Sequence, residues 1–195
     1  MKSGTSWIPF AVFNSPITRY NPLDLANRYS KLRKEGKHKE VINLLKGIAP
    51  DVVTVELLQD MNMPALYAEM SNGRILPIAA LGDGVKTLLS IILSITSLKN
   101  GILFIDEFES SIHYSKLPAV WDIIFKLSDE YNCQVFVVTH SLECLKAAAA
   151  SVRSSQNEDC ASYHRIERNK KGSLVSVAYN GQELKDALDG DWEVR

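Results

Sequence analysis

Nowhere in the 195 residues does a Gly-Lys pair stand before Ser or Thr, so the chain carries no P-loop, the turn whose backbone amides and Lys hold phosphates. Cysteine is scarce. Cys133, Cys144 and Cys160 are too few and too far apart for a zinc pattern or a disulfide framework, and they are expected to be reduced thiols. The longest apolar stretch, around residues 88 to 98, is shorter than the roughly 20 residues a membrane-spanning helix needs. No basic-apolar leader opens the chain, and the expectation is a cytoplasmic protein with no membrane partner. A formal net charge of −1 gives no global pull toward nucleic acid or lipid. Repeats and low-complexity linkers are missing too. What remains, with 46% hydrophobic residues, is enough for one globular core.

The most informative stretch is Gly101-Ile102-Leu103-Phe104-Ile105-Asp106-Glu107. Four apolar residues in succession read as a strand buried on both faces, the kind found in parallel sheets covered by helices. Two carboxylates then close it. Adjacent acids there are costly unless a cation, a donor or a reaction uses them, and the carboxyl edge of an open α/β sheet is where ligands bind. An apolar run ending in Asp-Glu is the Walker B pattern, in which the Asp holds Mg²⁺ and the Glu polarises the attacking water. A buried strand ending in a solvated acidic turn would read the same way, so these residues alone leave both open.

Gln134-Val135-Phe136-Val137-Val138-Thr139-His140-Ser141 repeats the layout. Between the two runs Leu117, Val120, Trp121, Ile124, Leu127 and Tyr131 recur at helical spacing. Strand, helix, strand is a βαβ unit, and its right-handed crossover brings Asp106, Glu107 and His140 to one edge of the sheet. Upstream, Leu81-Gly82-Asp83-Gly84-Val85-Lys86-Thr87 leads into an apolar helix from Leu88 to Leu98. Glycines before a helix expose backbone N–H groups to an anion. Val85 stands where a P-loop needs Gly, so this is either a different anion-binding turn or simply a helix start.

Taken in order, Leu-Gly-Asp-Gly-Val-Lys-Thr, Ile-Leu-Phe-Ile-Asp-Glu-Phe-Glu-Ser-Ser-Ile-His and Val-Phe-Val-Val-Thr-His-Ser resemble the carboxyl half of ABC-type ATPases, in the RecF-like and OLD-like "AAA family ATPase" group. The resemblance implies part of a P-loop NTPase (ABC-type) domain of class α/β, with a mostly parallel sheet, helices on both faces and antiparallel hairpins. It implies that Leu81, Gly82, Asp83, Gly84 and Lys86 form the signature loop, which meets the γ-phosphate of ATP held by the other protomer of a head-to-tail dimer. Glu109 to His113, with Ser111, would be the D-loop. Asp106 would hold Mg²⁺ through water, Glu107 would be the base or water-orienting group, and His140 would be the switch histidine. Gly82 replaces the signature Ser, and His113 stands where transporters carry an Asp. In that family the P-loop comes early, so residue 1 would begin after it. The chain alone is then expected to bind ATP poorly and to need a P-loop-bearing amino-terminal half or a second protomer. DNA maintenance and anti-phage defence are typical of the resembled group, which makes DNA and an effector protein candidate partners. Gln59 is too weak a candidate for the lid glutamine to be assigned.

The rest of the chain reads as one domain over 1–195: a strand and helical segment to residue 50, antiparallel strands over 51–80, the motif core over 81–152, and a terminal hairpin and short helix over 153–195. Trp7 to Phe13 reads as a strand. Helices follow over roughly 22–35 and 37–48, broken near Gly36, with Arg28, Lys31, Arg33, Lys34, Lys37 and Lys39 on their exposed positions. Such a face suits phosphate backbone or only water. Val52 to Leu58, Ala65 to Met70 and Arg74 to Ala80 read as strands, the last two joined across Asn72-Gly73. Two other function classes stay open: a non-catalytic module that completes a partner's ATP site, and an interaction module that uses no nucleotide.

Overall fold

A computed structural model describes residues 10–60, 62–154 and 160–189. Its first strand is β1 (Ala11–Asn14), and the expected Trp7 to Pro9 part of that strand lies outside the described residues. Helix α1 (Pro22–Lys34) starts as its residue types dictate: Asn21 Oδ1 accepts from Asp24 N–H at 3.2 Å, and Pro22 takes the first position, where no N–H is needed. It ends at Gly36, in the left-handed region at φ 77°, with Lys37 N–H on Leu32 O and Gly36 N–H on Arg33 O. That pair of bonds satisfies carbonyls the helix end would orphan. Helix α2 (His38–Leu45) follows. Of the six basic residues expected on the exposed surface, Arg28 is half-buried, bonded to Asp24 and to Ser97 Oγ.

Strands β2 (Val52–Asp60), β3 (Met63–Met70) and β4 (Ile75–Pro77) form an antiparallel sheet in that order. The β3–β4 turn runs through Asn72 and Gly73, with Gly73 at φ 79°. The strand expected to run to Ala80 stops at Pro77, and Ile78–Leu81 is a 3-10 turn. Ala79 and Ala80 carry no β preference, and the turn buries Ile78 while leaving both alanines exposed.

Helix α3 (Asp83–Ser97) is the centre of the first unit, with eleven of its fifteen residues buried. It begins five residues before the expected Leu88, because Gly82 at φ 90°, ψ 163° takes the non-helical position ahead of it. Gly84 and Lys86 therefore stand in its first turn. Apolar almost all round, such a helix must be enclosed. Leu88, Leu89, Ile91, Ile92, Leu93 and Ile95 are fully buried, each stabilising the fold by about 2 kcal/mol. Among its buried hydroxyls, Thr96 Oγ1 donates to Ile92 O at 2.8 Å.

Strand β5 (Ile102–Asp106) pairs in parallel with β1 and with β6 (Gln134–Val138), joined to the latter through α4 (Leu117–Glu130). Leu103 and Ile105 are buried on one face of this sheet. On the other face Phe13, Phe104 and Phe136 stand in register across the three strands and are 59%, 39% and 45% exposed. The Phe104 and Phe136 rings stack at 5.2 Å.

The chain forms two compact units, Met1–Thr139 and His140–Arg195. In the second, α5 (Leu142–Ser154), the hairpin of β7 (Ser162–Arg168) and β8 (Leu174–Asn180), and α6 (Gly181–Asp189) gather around Leu145 and Ala187. Most of the expected polar loop over 153–159 lies outside the described residues. The class is α/β, a parallel sheet with helices and antiparallel hairpins, as the motifs imply.

Candidate functional site

Parallel pairing puts the carboxyl ends of three strands on one edge. Asn14 lies beside Ile105, and Asp106 beside Val138. Past the strand, Glu107 turns into the left-handed region at φ 46°, ψ 48°, costly for a residue with a Cβ. The turn is held on both sides: Glu107 N–H donates to Val138 O at 3.0 Å, and Glu107 O accepts from Ser110 Oγ at 2.8 Å. Reversal there sends Phe108 into the core, fully buried against the edge of Trp121. The 3-10 turn Phe108–Ser111 follows, and the Thr139 hydroxyl donates to Glu109 Oε1. Asp106, Glu107 and Glu109 are all half-buried.

At the other side of this edge is the start of α3. No side chain caps it. Lys86 forms an ion pair with Asp83 and lies over the Tyr20 ring at 5.2 Å. The hydrogen bond from Lys86 holds the Asp83 carboxyl below its ordinary value. Gly84 packs on the 3-10 turn after Glu107: a Cβ there would stand 3.0 Å from Ser111 O. Between Ile48, the Leu81, Gly84 and Val85 turn, Ile112, His113 and Lys116 lies a cleft of about 310 Å³. His113 is exposed, its Nδ1 facing Ser115 Oγ at 2.9 Å.

The residues expected from sequence thus fall into place unevenly. Asp106, Glu107, Glu109, Ser111 and the Leu81–Lys86 segment belong to the first unit and share its edge. His140, exposed, is the first residue of the second unit, two positions beyond β6, where Ser141 Oγ caps α5 by accepting from Cys144 N–H at 3.2 Å.

One residue at the centre of this edge has no expectation attached to it. Arg19, only 6% exposed, lies in the loop after β1. Its Nη2 donates to Asp106 O at 2.7 Å and more weakly to Glu107 O at 3.3 Å, and its Nη1 reaches Thr87 Oγ1 at 3.3 Å. Burial lowers its pKa, opposed by the charges of Asp106, Glu109, Glu107 and Asp83. A lone arginine in the Asn14 to Asn21 loop has no spacing signature, so only the fold reveals it. Asn14 is also buried, donating from Nδ2 to Ser90 Oγ at 2.8 Å.

Comparison with known proteins bears on this edge. The model of a family described as "AAA domain, putative AbiEii toxin, Type IV TA system" matches residues 6–146. An uncharacterised protein of Methanocaldococcus jannaschii is 30% identical over 115 residues, 59% of this chain and 90% of that protein. Among solved structures the fold is similar to SMC ATPase heads. One, from work on ATP-driven dimerisation and DNA-stimulated activation of SMC ATPases, has a TM-score of 0.56 at 15% identity and covers 84% of this chain and 96% of that chain. The Pyrococcus furiosus Smc head with an extended coiled coil, bound to the C-terminal domain of ScpA, gives 0.56 at 15% identity over 84% of this chain and 40% of that chain. The SMC head domain of Thermotoga maritima gives 0.50 at 12% identity over 87% and 53%.

Proposed function

This chain belongs to the AAA-domain family whose model spans residues 6–146, and on that footing we propose that it contributes the Walker B, D-loop and signature elements of an ATP-hydrolysing site. The P-loop of that site would come from an amino-terminal half or a second protomer. The observation that carries the reading is the pairing of Asp106 and Glu107 at the end of a parallel strand with the Gly82–Lys86 helix start on the same edge. The uncapped α3 start suits an anion, since its first N–H groups have no side-chain acceptor.

Asp106 and Glu107 have the oxygen chemistry Mg²⁺ prefers, and such sites use one or two carboxylates together with substrate phosphates and water. The described residues hold no group of three acidic, His or Cys side chains able to make a metal site unaided. Asp106 and Glu107 would supply the protein's share of an Mg-ATP site. When bound, the ion would neutralise charge on the phosphates. Asp106 would hold it through water, Glu107 would orient or deprotonate the attacking water, and His140 would contact the γ-phosphate. The signature segment would meet ATP on a neighbouring protomer, coupling hydrolysis to association.

The exposed row of Phe13, Phe104 and Phe136 supports a missing covering element. Parallel sheets are normally covered on both faces, and an aromatic row open to water would suit a docking partner. Membership of the RecF-like or OLD-like group, and a role beside DNA or in defence, are parts of the same proposal that rest on the motif resemblance alone.

The deciding experiment is Mg-ATP calorimetry on the chain alone and mixed with a P-loop-bearing amino half, with turnover followed in parallel. Binding and turnover are expected only in the mixture, and turnover is expected to disappear with Glu107→Gln. Tight binding by the chain alone would overturn the need for a P-loop from another half or protomer. No binding in either sample would favour a module that uses no nucleotide.

A further inference from the structure

We infer that Arg19 is a positioning residue: its guanidinium fork holds the Asp106–Glu107 turn in its left-handed form and ties that turn to the start of α3. The consequence for turnover rests on the ATPase reading above; the structural claim does not.

Three observations carry the inference. First, the fork spans separate segments. Nη2 holds the backbone carbonyls of Asp106 and Glu107, while Nη1 reaches Thr87 on α3 and Ser111 on the turn beyond Glu107, at 3.3 and 3.4 Å. A lysine ammonium is a point donor and cannot bridge acceptors set this far apart. Second, these acceptors are carbonyls and hydroxyls, although the charges of four carboxylates, Asp106, Glu109, Glu107 and Asp83, act on the group. An arginine placed only for charge neutralisation would take a bidentate carboxylate. Burying it on neutral acceptors, with Nε left unbonded, is costly and makes sense where backbone geometry is what is held. Third, the residue being held has a strained backbone: among the described residues at positive φ it is the one that is neither Gly nor Asn. Glu107 sits at φ 46°, and such conformations persist only where the surroundings over-determine them. Arg19 acts on the carbonyls on both sides of that residue's Cα–C and N–Cα bonds, the two torsions that define the strain.

Within the ATPase reading this gives Arg19 a second consequence. Thr87 stands one residue beyond Lys86 in the signature segment, and Asp106 and Glu107 are the Walker B pair. One side chain thus joins the part of the protomer that would serve its own nucleotide to the part that would serve its neighbour's.

The test is a double-mutant cycle on the full chain, read by urea unfolding. Arg19→Gln is expected to lower the folding equilibrium constant at least fivefold less in a Glu107→Gly background than in the wild type, because glycine takes the left-handed turn unaided. Arg19→Lys is expected not to restore wild-type behaviour. Amide exchange separates positioning from general support: Arg19→Gln or Arg19→Lys should speed exchange at Glu107 and Ser110 tenfold or more while the α3 amides around Leu93 keep their rates. Additive effects in the cycle, rescue by Lys, or uniform acceleration of all amides would each overturn the inference. Where the mixture with a P-loop half turns over ATP, Arg19→Lys should lower kcat with KM unchanged. Absence of turnover in the wild-type mixture would count against the ATPase reading and leave the cycle and the exchange test standing.

Discussion

A Cβ placed on Gly84 would stand 3.0 Å from the carbonyl oxygen of Ser111, so the first turn of α3 and the turn after Glu107 meet backbone to backbone. Because the neighbour is main chain, it does not yield as a flexible side chain would. Gly84→Val is expected to cost about 1–3 kcal/mol by overpacking, read as a lower urea midpoint with unchanged slope. Gly84→Ala is closer to neutral, since the gain of up to about 1 kcal/mol in helix propensity opposes the crowding. In a mixture that hydrolyses ATP, both variants should lose turnover.

Tyr29 sets an alkaline limit. Its hydroxyl donates to Val55 O at 2.6 Å, and burial raises the phenol above its ordinary value of 10.0. A raised folded value means the native state keeps its proton longer than the unfolded chain. The stability this contributes is fully present below about pH 10 and is lost as pH rises through the folded value. Tyr29→Phe should cost about 1 kcal/mol at pH 8 and fall less steeply in stability between pH 9.5 and 11, measured by urea melts.

The aromatic row should govern association. Phe104 and Phe136 are 39% and 45% exposed, so replacing both with Ser removes rings that water already reaches. Stability should fall by less than about 2 kcal/mol, while pairing with a P-loop-bearing half, or self-association in its absence, should weaken at least tenfold by sedimentation. Unchanged association would remove this face from the proposal.

Thiol labelling is a direct check of the core. Cys133 and Cys144 are buried and Cys160 is exposed. Burial also pushes the Cys133 thiol up, lowering its thiolate fraction. One cysteine per chain should react promptly at pH 8 and three in denaturant. Rapid native reaction of Cys144 would contradict the packing of α5.

Much of this protein is determined by local chemistry that any reader of the chain can follow. Asn21 with Pro22 starts a helix and Gly36 ends it; the apolar run at 102–105 is a strand, and the periodicity from Leu117 to Leu127 is the helix that returns the chain in parallel. These signals survive because side-chain period, capping and turn chemistry are decided within a few residues. The Asp106-Glu107 ending was equally legible. Its conformation was not, because the left-handed turn at Glu107 depends on Val138 in one strand and on Arg19 in a distant loop. The start of α3 at Asp83 hinged on a glycine dihedral. The end of β4 at Pro77 turned on where the next residues find a place to bury Ile78. Arg19 itself was silent in the sequence, an ordinary arginine between Thr18 and Tyr20. Only tertiary structure, by removing it from water and surrounding it with the carbonyls of Asp106 and Glu107 and the hydroxyls of Thr87 and Ser111, gives that side chain something to hold.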